Sequence, residues 1–196
     1  NRRLCRFNSQ LLFVESISVF DEDDPLKFGY PSGVALTTYG ETWVGDRDND
    51  RIAVFNNVGT FDRFVGDFGY SGGQVVSPEA IRLAPRDFFL VCDAGNGRLV
   101  LYDEYGNYER ELIDDYLKYP ISAAPTGSGW WVIDGSTGRI VLITGRGEVL
   151  YEIVGQPMGT ALPLSQPSDI ALLPHDRLAI ADTGNDRILI CKIVRE

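Results

Sequence analysis

Four times along the chain an aspartate is followed five residues later by an arginine: Asp46 and Arg51, Asp93 and Arg98, Asp134 and Arg139, Asp182 and Arg187. A carboxylate and a guanidinium at this spacing can do one of two things. They can line a charged site for a ligand. Alternatively, the aspartate accepts hydrogen bonds from the turn that follows it while the arginine bridges back to it or to a neighbour. Recurrence of the same pair favours the structural use, because a single site seldom needs four copies. Little else has the residue types for catalysis. His175 is the only histidine and sits in the turn-like Leu173-Pro174-His175-Asp176-Arg177. No G-x-S-x-G elbow accompanies it. Cys5, Cys92 and Cys191 form no C-x-x-C, so zinc and dithiol chemistry have no support; each reads as a small buried hydrophobe. No cofactor and no metal-ligand set is expected. Catalysis by carboxylates alone stays open in a chain with 28 Asp and Glu, though spacing singles out none.

Arg82 stands where related positions hold Ala35, Ala124 and Ala171. There a long cation could bind an anion or pair with Asp169; pairing is the favoured reading, and Glu79 is a second candidate nearby. Arg2, Arg3 and Arg6, with Arg47, Arg51 and Arg63 one repeat later, would suit RNA if they formed a basic stripe. Asp46, Asp48, Asp50 and Asp62 are interleaved with them and cancel much of it.

The elements that must position these residues form a repeat. The turn arginine falls at 3, 51, 98, 139 and 187, and a proline at 31, 78, 120 and 167, so two independent landmarks keep step at 41 to 48 residues. Each unit carries runs of four to eight residues rich in Val, Ile, Leu and aromatics, bounded by Gly, Asn, Asp and Pro, which read as strands. Four antiparallel strands per unit make a propeller blade, and stacked blades bury one another's faces. The expected class is therefore all-β, a propeller of four-stranded antiparallel blades in one domain over 1–196. Full blades are expected at 30–66, 77–112 and 119–155, the end of a blade at 1–17 and the start of one at 167–193. One helical turn is expected at Asp114 to Lys118. Trp43, Trp130 and Trp131 fall on second strands and are read as packing between blades.

Pro31-Ser32-Gly33-Val34-Ala35, Trp43-Val44-Gly45-Asp46, Asn49-Asp50-Arg51-Ile52 and Phe64-Val65-Gly66 together resemble an NHL repeat. Gln166 to Ala171 with Ala181 to Ile188 is a second good copy, and the two between are degenerate. The resemblance covers essentially the whole chain. It implies a propeller, usually of six blades, which at this spacing would need roughly 270 residues. An excerpt of a larger ring, a ring of five blade positions, or a second chain completing the ring would reconcile the length. The family includes protein binders, RNA binders and some enzymes, so fold alone does not choose.

Net charge of −10 repels phosphate backbones and anionic lipid and suits a soluble β protein. No apolar run approaches the 18 or so residues of a membrane span. The expected function is therefore a non-enzymatic scaffold that binds a protein or peptide through the face of the second-to-third-strand turns and long connectors. Arg47, Asp48, Asp50 and Asp186 are its polar candidates; Tyr30, Tyr70 and Met158 its apolar ones. The alternatives are a hydrolase or lyase with a divalent metal in the channel, and an RNA-binding NHL domain. Compartment stays open.

Overall fold

The computed structural model describes residues 2–18, 27–113, 116–157 and 159–193. Met158, Asp114 and Asp115 lie outside them, and Tyr116 to Lys118 are irregular rather than helical. Among the described residues there are seventeen strands and four short 3-10 turns. β1 (Arg3–Phe7) and β2 (Phe13–Ser18) form a two-stranded sheet. The first full sheet is β3 (Pro31–Leu36), β4 (Thr42–Asp46), β5 (Arg51–Phe55) and β6 (Phe61–Val65). The second is β7 (Pro78–Ala84), β8 (Phe88–Asp93), β9 (Arg98–Tyr102) and β10 (Tyr108–Leu112). The third is β11 (Pro120–Pro125), β12 (Gly129–Asp134), β13 (Arg139–Thr144) and β14 (Val149–Ile153). The last sheet has three strands, β15 (Pro167–Leu173), β16 (Arg177–Asp182) and β17 (Arg187–Lys192). Every sheet is an antiparallel meander in chain order.

The landmark prolines open the first strand of each of these four sheets, and each lies opposite the repeat aspartate: Pro31 and Asp46, Pro78 and Asp93, Pro120 and Asp134, Pro167 and Asp182. A first strand has a free inner edge, so the missing proline N–H costs no ladder bond. The register slips directly after each proline. Such a bulge bends and twists the strand. First strands neighbour one another in succession, β3 on β7, β7 on β11 and β11 on β15, which sets the sheets around a common axis.

Alternation along each strand sends neighbouring residues to opposite faces, and each face buries against the next sheet. Ile52, Val54 and Trp43 pack on Ile81, Phe89 and Val91. Leu90 and Leu99 pack on Trp130, Val132 and Ile143, while Trp131, Ile133 and Ile140 turn the other way to Ile170, Leu178 and Ile180. Adjacent Trp130 and Trp131 thus serve different interfaces. Trp43 lies flat on Phe89 with ring centroids 3.9 Å apart, a contact that contributes about 1 kcal/mol beyond its buried area.

The last sheet shows what an interface supplies. Ile188 holds the place in β17 that Ile52, Leu99 and Ile140 hold in their strands. Those three are fully buried, whereas Ile188 is 72% exposed and Ile190 54%. Their face has no sheet against it among the described residues. Cys92 is buried, but Cys5 is exposed and Cys191 half-buried; all three are free thiols. Cys5 differs from the buried reading because no described strand packs on its side of β1. Burial pushes the Cys92 thiol up to about 12, which leaves it unreactive at neutral pH.

Candidate functional site

Each repeat aspartate ends a second strand with its side chain fully buried. Asp46 Oδ1 accepts the Gly29 amide at 2.8 Å, and its Oδ2 accepts Asn49 Nδ2 at 2.7 Å and Arg51 Nε at 3.1 Å. Asn49 and Arg51 then reach the carbonyl of Lys27 in the preceding connector. The second sheet repeats this: Asp93 accepts from Val76, Asn96 and Arg98, and Asn96 and Arg98 hold the carbonyls of Gly69, Ser71 and Gln74. In the last, Asp182 accepts from Ser165, Asn185 and Arg187, which grip Leu162 and Pro163. At the third, Thr137 replaces the asparagine, and Asp134 takes the amides of Lys118 and Tyr119 instead. The arginine's other end meets the fourth strand. Arg98 pairs with Glu111 and Arg139 with Glu152, at 2.8 and 2.9 Å, while Arg51 stacks on Phe64 at 3.9 Å. These aspartates and arginines are consumed in joining turn, connector and outer strand.

The turn and connector also touch closely, and the contact requires one glycine. A Cβ on Gly95 would stand 2.5 Å from Val76 Cγ1, and one on Gly184 2.3 Å from Ser165 Oγ. In the first sheet the roles are exchanged. Asp48 occupies the turn position, and a Cβ on connector Gly29 would stand 2.6 Å from Asp48 Cβ.

With the scaffold charges accounted for, one cluster on the turn face keeps side chains presented to solvent. The Arg47 guanidinium lies 3.9 Å over the exposed Tyr30 ring and reaches Glu79 Oε1 at 3.3 Å and Asp48 at 3.4 Å. Tyr119 donates its hydroxyl to the same Glu79 oxygen at 3.1 Å. Burial opposes the Arg47 charge, but Glu79 and Asp48 outweigh it and raise its pKa. Burial and Glu79 push the Tyr119 hydroxyl up. The structure thus brings Tyr30, Arg47 and Asp48 together with Glu79 and Tyr119 across three successive sheets. Tyr119 was not singled out by the sequence reading, although it precedes Pro120 as Tyr30 precedes Pro31. Asp50 is spent elsewhere: in a left-handed conformation, it accepts the Ser77 amide at 2.7 Å. Asp186 takes the same conformation in the last turn. Tyr70 is exposed and meets Phe68 edge to face at 6.0 Å.

Nearer the axis, Arg82 crosses from the second full sheet to the last. Its Nη2 meets Asp169 Oδ1 at 3.0 Å and Ser122 Oγ at 3.2 Å, its Nε the Ala123 carbonyl at 2.9 Å and its Nη1 the Ile81 carbonyl at 3.1 Å. Four of the six arginines proposed for a basic stripe are ion-paired: Arg6 with Glu15, Arg47 with Glu79 and Asp48, Arg51 with Asp46, and Arg63 with Glu41 and Asp62. His175 is exposed in the β15–β16 turn at φ 65°. Among the described residues no three His, Cys, Asp or Glu side chains gather as a metal site, and no helix is long and apolar enough to cross a membrane.

Virginiamycin B lyase from Staphylococcus aureus has the same architecture, with a TM-score of 0.66 over the whole of this chain and 64% of its own, at 16% identity. A streptogramin B lyase structure matches at a TM-score of 0.65, 17% identity, again over the whole chain and 63% of its own. The chain is a β-propeller. A catalytically inactive histidine-to-alanine variant of the S. aureus lyase with quinupristin matches at a TM-score of 0.64 and 17% identity, over 97% of this propeller and 63% of that chain. At such identity the likeness concerns the fold alone. By sequence, the propeller is 24% identical over 129 residues to Protein brain tumor of Drosophila melanogaster, covering 64% of this chain and 12% of that protein. No family model matches. This propeller therefore spans less than two thirds of each of these proteins.

Proposed function

We propose that this chain is an NHL-type propeller that binds a protein or peptide through its turn face and catalyses no reaction there. The observation that carries the reading is the Tyr30–Arg47–Glu79–Tyr119 cluster. It places two aromatic rings and a guanidinium on rigid strand ends, the composition of side chains that anchor protein interfaces. Exposed Phe68 and Tyr70 extend the same rim. The NHL assignment is supported by the recurring Asp–Asn–Arg clamp and by the similarity to Protein brain tumor. The open face of Ile188 and Ile190, and the missing fourth strand beside β17 among the described residues, fit a ring completed by further sheets of this or another chain.

The test is affinity capture with the chain and with a Tyr30→Ala/Arg47→Ala variant, followed by measurement of Kd for each captured partner. A partner whose affinity falls about tenfold or more on losing these anchors supports the reading. Partners held equally well by both proteins refute it. A metal-dependent lyase reading predicts a stoichiometric divalent ion in the purified protein and turnover lost on chelation. An RNA reading predicts binding that falls steeply with salt.

A further inference from the structure

On the face opposite the Asp–Arg turns, the seams between sheets repeat the same positions with different residues. At the first seam Arg63 of β6 donates Nη2 to the Glu104 carbonyl of the next sheet at 3.1 Å. At the second, Arg110 of β10 donates Nη2 to the Gly145 carbonyl at 3.0 Å. The two arginines are equivalent in register, Arg63 opposite Val54 and Arg110 opposite Leu101. Their surroundings differ. Arg63 is also held by Glu41 and Asp62, at 3.1 and 2.5 Å. The residue in the place of Glu41, five before the repeat aspartate, is Phe88 at the second seam. Among the described residues Arg110 makes no ion pair.

The second seam also holds a cleft of about 390 Å³. Phe88, Leu101 and Trp130 give it an apolar floor, and Arg86 and Arg110 stand on its rim opposite the turn around Gly127. Arg86 is exposed and has no partner among the described residues. It and Asp87 sit at φ 68° and 59° in the three-residue turn Pro85–Asp87 between β7 and β8. Two guanidinium groups around an apolar floor suit an apolar side chain flanked by carboxylates. Local charge differs from that of the whole chain, which carries −10: the cleft is lined by two arginines, Arg86 and Arg110, against one carboxylate, Glu109, and neither arginine forms an ion pair among the described residues.

We propose that the second seam docks an acidic peptide segment, seating one bulky apolar side chain on Phe88, Leu101 and Trp130 and bringing adjacent carboxylates to Arg86 and Arg110. This site is separate from the turn-face cluster, and neither reading depends on the other. The test titrates the nitrogen-15-labelled chain with acetyl-Glu-Phe-Glu-amide and with its Gln-Phe-Gln analogue, reading amide shifts. The acidic peptide is expected to move amides at 84–88, 109–110 and 126–130, with the neutral one about tenfold weaker or more. Arg86→Gly, which also relaxes the turn, combined with Arg110→Gln should weaken the acidic peptide to the level of the neutral one. Phe88→Glu, which rebuilds the first seam's neutralised arginine, should do the same. Gly127→Trp fills the cleft from a position with no neighbour within 4 Å of an added Cβ and should block it. Equal affinity for both peptides, shifts confined to Tyr30 and Arg47, or no shifts at millimolar peptide would overturn the proposal. So would tighter binding of a phosphoserine version, which would assign the site to phosphopeptides.

Discussion

A buried carboxylate is stable only when its lone pairs are met, and the repeat aspartates meet theirs with backbone and side-chain donors. Burial pushes Asp134 up, but the Lys118 and Tyr119 amides and the Thr137 and Ser136 hydroxyls outweigh it and hold the group below the usual aspartate range. A carboxylate with a depressed folded pKa adds stability above its unfolded pKa and loses it as pH falls through the folded value. Urea unfolding from pH 7 downward should therefore show stability falling below about pH 4, the ordinary aspartate range, with a shallower fall in Asp134→Asn. Asp93→Ala removes the acceptor of Val76, Asn96 and Arg98 in a buried ion pair and should cost about 3–5 kcal/mol in the same assay. The glycine contact makes a sharper residue-scale prediction. Gly95→Asp alone should cost about 1–3 kcal/mol by overpacking Val76. Adding Val76→Gly should restore much of that, because the pair then reproduces Asp48 against Gly29.

At the scale of the strand, one sequence position has different consequences in different sheets. Ile140 and Ile188 follow equivalent arginines and both sit in β-branched runs. Ile140→Ala should cost about 2–5 kcal/mol because its face is packed against the last sheet. Ile188→Ala should stay within about 0.5 kcal/mol because its face is open. Thermal or urea unfolding of the two variants checks the contrast directly. The strands, their order and the turn positions were legible because period-two alternation and the Pro and Asp–Arg landmarks recur. The bulge after each proline was not, since register depends on the partner strand.

Over the whole molecule, the hydrophobic faces of each sheet pack only on neighbouring sheets, so stability is expected to fall toward the two ends. Hydrogen exchange should be slowest in β8, β9, β12 and β13, whose sheets are covered on both faces, and fastest in β1, β2 and β17. Uniform protection across all strands would contradict this. Arg82 links non-adjacent sheets near the axis, yet Asp169 is largely exposed. Solvent screening therefore limits that ion pair to about 1 kcal/mol or less.

The sequence alone determined the repeat, the strand pattern and the all-β class, because these follow from local periodicity and turn chemistry that each unit states for itself. The pairing of Asp with Arg was legible for the same reason. Which charged and aromatic side chains the scaffold leaves unspent was decided only by the tertiary structure. Asp50 and Arg47 look alike in composition, but one caps the next connector and the other crosses to Glu79 beside Tyr30 and Tyr119. Arg63 and Arg110 hold one repeat position, yet the first is ion-paired with Glu41 and Asp62 while the second has no ion pair among the described residues. Long-range neighbours set burial and partnership, and those depend on how sheets are stacked rather than on any residue's own type.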